Sequence, residues 1–111
     1  MTKIHAKAMR GDCLKRMKEI EDHSVDLILC DLPYGTTACA WDVIISFEKL
    51  WKQYKRVTKQ NAAIVLTAAQ PFTSTLISSN LKDFRYCWVW EKSQGTGFGN
   101  AKKCRYVPMK I

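Results

Sequence analysis

Apolar side chains along this chain follow two rhythms that alternate. "FEKLWKQYKRV" sets Phe47, Leu50, Trp51, Tyr54 and Val57 on one stripe, with Lys49, Lys52, Lys55 and Arg56 away from it, and so predicts an amphipathic helix. "SVDLILC" is instead a nearly unbroken apolar run, with Val25, Leu27, Ile28 and Leu29, and predicts a strand covered on both faces. "NAAIVLTA" predicts a second such strand. Around these, a short strand is predicted from Ile4 to Met9, and a helix in "RGDCLKRMKEIED", where Leu14, Met17 and Ile20 recur at helical spacing. "QPFTSTLISSN" predicts a helix with Pro71 in its first turn and Asn80 as its stop. "FRYCWVWEKS" predicts an aromatic strand with Tyr86, Trp88 and Trp90 on one face, and "QGTGFGNAKKCR" a glycine-rich basic loop.

Strands alternating with helices imply βαβ units, hence an α/β fold whose strands are mostly parallel and flanked by helices. In such sheets ligands collect at the carboxyl ends of strands, and Asp31 sits at one. The 111 residues suit one domain, 1–111, and show no repeats, low-complexity tracts or linker. Eighteen Lys and Arg against ten Asp and Glu give a formal charge of +8, which points to a polyanionic partner. The five cysteines are odd in number and form no Cys-x-x-Cys pair, so reduced thiols in a cytoplasmic protein are expected, with no metal site. His5 and His23 read as surface residues, and Trp51, Tyr54, Trp88 and Trp90 as core. No apolar h-region opens the chain and no apolar run approaches the ~20 residues of a membrane span, so no membrane is expected.

Two reactions use an acid at the end of a buried strand. Nucleotide hydrolysis needs a G-x-x-x-x-G-K-[ST] phosphate loop, and this sequence has none. Transfer to an exocyclic amine needs two hydrogen-bond acceptors, one per N–H, to draw the delocalised lone pair out of conjugation. Asp31 offers a carboxylate and Leu32 a backbone carbonyl; Pro33 stiffens the turn, and Tyr34 offers a flat face to a planar base.

"DLPY" resembles the D/N/S-P-P-Y/F/W motif (the DPPY motif) of S-adenosylmethionine-dependent DNA amino-methyltransferases. "GDCLKRM", "SVDLILCDLPYGTT", the Trp41-Asp42 pair, the helix with Trp51, "AAIVLTAAQPF" and "WVWEKSQGTGFGNAKK" together resemble the N-terminal part of the β-type members, over about Met9 to Lys103. The resemblance implies a partial Rossmann-like methyltransferase sheet and a bacterial or phage-encoded enzyme, of the restriction-modification kind, that methylates a flipped adenine at N6, ahead of cytosine at N4, in double-stranded DNA. It implies Asp31, Leu32, Pro33 and Tyr34 as catalytic, and Asp12, Cys13 and Asp31 as contacts to the S-adenosylmethionine cofactor. Phe98 and Asn100 would enclose the base, and Lys102, Lys103 and Arg105 would contact DNA phosphates. Asp12 also suits a helix N-cap, and Lys52, Lys55, Arg56 and Lys59 suit a solvated helix face.

The sequence departs from the family at Leu32, usually a second proline, where only a backbone carbonyl is used. It also lacks the F-x-G-x-G donor-binding turn, so the domain reads as truncated before it; "GTGFG" at 95–99 precedes no apolar helical stripe and reads as a loop. The chain alone is therefore expected to bind donor weakly and to be inactive. Two alternatives stay open: methylation of a glutamine amide in protein, and an inactive nucleic-acid-binding remnant with an exposed sheet edge open to self-association.

Overall fold

Every second residue of one long strand points into the core: Ala62, Ile64, Leu66 and Ala68 are buried, and Ala63, Val65 and Thr67 between them only half so. The computed structural model describes residues 3–91 and, as backbone, residues 103–110. Its strands are β1 (Val25–Asp31), β2 (Thr58–Ala68), β3 (Trp88–Glu91) and β4 (Lys103–Lys110); its helices are α1 (Cys13–Arg16), α2 (Phe47–Val57) and α3 (Phe72–Ser79). The four strands form one sheet in the order β1-β2-β4-β3.

α2 is the crossover between β1 and β2, which pair in parallel, and its buried residues are Leu50, Trp51, Tyr54 and Val57, four of the five on the predicted stripe. α3 lies on the same face through Phe72 and Leu76, and the Trp51 indole N–H donates to Ser79 Oγ at 2.9 Å to tie the two helices. Arg56 fastens the N-terminal segment below them, donating to the carbonyls of Met17 and Ile20 and to Asp22.

Three of the four strands, β1, β2 and β3, run in one direction, and β4 enters antiparallel to both β2 and β3. Other expectations need correction. "KKCR" was expected in a loop, yet Lys103–Lys110 is a strand, because main-chain pairing with β2 and β3 is available along its length. Residues 4–9 form no strand: only Ile4 and Met9 are large and apolar, and Ile4 is 96% exposed. The helix from 10 to 22 shrinks to one turn, α1, followed by a 3-10 turn at Met17–Glu19, although Leu14 and Met17 still pack on the core.

Among the described residues β1 and β2 are covered on one face only, not on both as expected. Leu29 is 69% exposed, and Trp88 and Trp90, read from sequence as core, are 52% and 54% exposed, because the described helices all pack on the opposite face. No helix of the described residues is long and apolar enough to cross a membrane.

Candidate functional site

Asp31 closes β1 beside Thr67 of β2, its register partner, and the backbone then leaves the sheet through buried Leu32 and half-buried Pro33 and Tyr34. A chain of hydroxyls links the motif's two ends. Tyr34 Oη donates to Thr67 Oγ1 at 2.9 Å, and Thr67 Oγ1 donates to Asp31 Oδ1 at 2.5 Å. The Tyr34 ring stacks on Phe72 of α3 with centroids 4.9 Å apart and planes at 22°. Its ring is thus held from behind by α3 and by its hydroxyl from β2.

Beyond Tyr34 the chain turns at Gly35, whose φ of +69° is one that side chains resist, and a Cβ there would meet Ile44 Cγ1 at 2.9 Å. That turn aims successive N–H groups at a single carboxylate. Asp42 Oδ1 accepts from Gly35 N at 2.9 Å, and Oδ2 accepts from Thr36 N at 3.0 Å, Thr37 N at 2.7 Å and Thr37 Oγ1 at 2.7 Å. Asp42 is 7% exposed, and these bonds, that from the Thr37 side chain foremost, hold its carboxyl down at about 2 against an ordinary 3.8.

A cavity of about 310 Å³ is lined by Asp31, Leu32, Pro33, Tyr34, Thr36, Thr37, Trp41 and Asp42. All four motif residues singled out from sequence therefore meet at one cavity. Asp12 and Cys13 do not line it. Asp12 caps α1, its Oδ1 accepting from Leu14 N at 2.8 Å, and lines a separate groove of about 380 Å³ with Leu14, Lys15, Lys18, Lys49, Lys52 and Gln53. Cys13 lies near Cys30, and burial, followed by the neighbouring Asp12 and Cys30 charges, pushes its thiol up. Phe98, Asn100 and Lys102 lie outside the described residues, as do the side chains of Lys103 and Arg105. The backbone of Arg105 pairs with Ala68, the last residue of β2, and that of Lys103 with Glu91, the last of β3.

The helix-face lysines divide. Lys55, Arg56 and Lys59 pair with Asp83, Asp22 and Asp26, whereas Lys15, Lys18, Lys49 and Lys52 have no ion pair among the described residues. His5 is exposed; His23 is exposed too, and its Nδ1 lies 3.0 Å from the Thr58 carbonyl.

Sequence reasoning missed Thr67, Phe72 and the role of Asp42. Thr67 and Phe72 reach the site only through sheet register and helix packing, which no local pattern reveals. Asp42 had a local signal, a carboxylate following a Gly-Thr-Thr turn.

No protein-family model matches the sequence, and no curated protein matches it. The fold is similar to the crystal structure of a candidate DNA modification methylase from Thermus thermophilus, with a TM-score of 0.65 and 15% identity, covering 90% of this chain and 52% of that one. At that identity the likeness shows a shared fold. This chain spans about half the length of that structure.

Proposed function

We propose that the chain provides the acceptor half of an S-adenosylmethionine-dependent DNA amino-methyltransferase, acting on a base flipped out of the duplex, adenine at N6 ahead of cytosine at N4. The observation that carries this reading is the setting of Asp31. Its Oδ1 is taken by Thr67, which leaves Oδ2 as the carboxylate oxygen open to an amine N–H at the cavity. The Leu32 carbonyl takes the second N–H, and the two acceptors together turn the amine lone pair out of the ring's conjugation. Were a methyl group transferred to it, the nitrogen would gain positive charge as the carbon–sulfur bond of the donor breaks and would then lose a proton, and the Asp31 carboxylate would stabilise that positive charge. Tyr34, backed by Phe72, is the flat face on which the base stacks. β3 ends and β4 begins at the end of the sheet where β1 finishes, which supports residues near them in sequence, Phe98, Asn100, Lys102, Lys103 and Arg105, as DNA contacts. The DNA-modifying name of the structural neighbour supports the same substrate.

The methyl donor does not fit the groove beside Asp12. Four lysines line it, and their charge repels a sulfonium cation, while one Asp12 oxygen is already spent on the α1 cap. What the chain itself contributes is orientation of the amine.

Because the chain supplies only the orientation of the amine, the reading is tested with the chain joined to a donor-binding segment that carries the F-x-G-x-G turn, incubated with tritiated donor and unmethylated duplex DNA, followed by separation of nucleosides. Label recovered as N6-methyladenine supports it. Label on a protein glutamine amide would replace DNA by protein as the substrate, and absence of label would favour the inactive remnant.

A further inference from the structure

Among the described residues Asp42 is the one charged side chain in the buried set. Burying a carboxylate is costly unless donors replace its water, and here four donors from three consecutive residues do so. The arrangement is closed and local, since the donors belong to residues 35–37 and the acceptor to residue 42. It has two ends that matter. Tyr34 immediately precedes the donors and Trp41 immediately precedes the acceptor, and both line the cavity. Trp41 is 73% exposed, so core packing does not hold it there.

We propose that Asp42 is a positioning residue: by gathering the N–H groups of residues 35–37 its carboxylate fixes Trp41 relative to Tyr34, making the cavity a slot with two aromatic walls that accepts a planar heteroaromatic ring. That the ring is an amine-bearing nucleobase rests on the function proposed above; the positioning by Asp42 does not. Asparagine at 42 is nearly isosteric, but it keeps one acceptor oxygen and turns an N–H₂ group toward donors, so it separates charge and acceptor capacity from size. The carboxylate's low pKa gives the slot a pH signature. Because the folded value lies below the ordinary one, the stabilisation is fully present above 3.8 and is lost as pH falls through about 2.

The test is a nuclear magnetic resonance titration of the full chain, labelled with nitrogen-15, from pH 6 downward. The amides of Gly35, Thr36 and Thr37 and the Trp41 indole are expected to move together with one midpoint near 2. A midpoint at the ordinary 3.8, or an indole that ignores the three amides, overturns the proposal. In Asp42→Asn the Trp41 and Tyr34 side-chain signals are expected to shift at neutral pH while the amides of α2 and β2 stay in place. A single-stranded oligonucleotide carrying 2-aminopurine should bind that variant roughly ten-fold more weakly than the parent chain. Equal binding by the two chains overturns the slot; no binding by either counts against the function proposed above and leaves the titration to decide the role of Asp42. The parent titration gives its answer whether or not Asp42→Asn folds.

Discussion

Asp31, Thr67 and Tyr34 are joined by two hydrogen bonds that hold the carboxylate as neither neighbour could alone. A free carboxylate rotates, but Asp31 Oδ1 is held by the Thr67 hydroxyl, which in turn is held by Tyr34. Thr67→Val keeps the shape and removes the bridge, so both neighbours lose a partner at a half-buried position. We expect it to lower stability by about 1 kcal/mol for each bond lost, a fall of roughly 5–10 °C in the melting temperature, and to loosen the Asp31 carboxylate. An unchanged melting temperature with an unchanged Tyr34 ring signal would show the bridge to be idle. Residue types at this scale were legible in part. Asp31 to Tyr34 stood out because an acid, a proline and an aromatic end an apolar run. Thr67 did not, because it becomes their neighbour only through the pairing of β1 with β2, which includes a register shift between Val25 and Leu27.

Elements whose pattern is local and strong formed where the sequence predicts them. α2 combines a full apolar stripe with a basic outer face, and β2 extends three residues before its expected start because Thr58 is buried and its Oγ1 donates to the Tyr54 carbonyl. Elements that need a distant partner were less legible. β4 carries Lys103, Arg105 and Pro108, none of them strand-favouring, and its order comes from main-chain bonds to β2 and β3. Pro108 lies beyond the residues that pair with β3, where a missing donor costs less. The turn from 35 to 37 is the element on which the cavity depends. Gly35→Ala places a Cβ against Ile44 and forces a left-handed φ on a side chain, which we expect to cost about 1 kcal/mol or more and to open the cavity. Thermal unfolding measures the first, and the Trp41 indole signal the second. A melting temperature equal to the parent's would contradict the strain.

Among the described residues three helices lie on one face of the sheet and none covers the other. Leu27, Leu29, Val65, Trp88, Val89 and Trp90 line an apolar hollow there, and β1 and β3 are the outer strands of the sheet. A surface of this kind drives association, and the chain is expected to self-associate with rising concentration, more strongly as salt screens its +8 charge. Sedimentation velocity of the parent chain and of Leu29→Lys measures this; a parent chain that stays monomeric in high salt would contradict it. The central claim, that the end of β1 recognises an exocyclic amine, is tested most directly by amine discrimination. Binding of two single-stranded oligonucleotides is compared by fluorescence anisotropy, identical but for adenine in one and unsubstituted purine, which lacks the amine, in the other. The account predicts that the parent chain binds the adenine probe more tightly, by roughly thirty-fold for two hydrogen bonds of about 1 kcal/mol each, and that Asp31→Ala, which keeps only the Leu32 carbonyl, loses most of that preference. Equal affinity of the parent chain for the two probes, or a preference undiminished in Asp31→Ala, would contradict it.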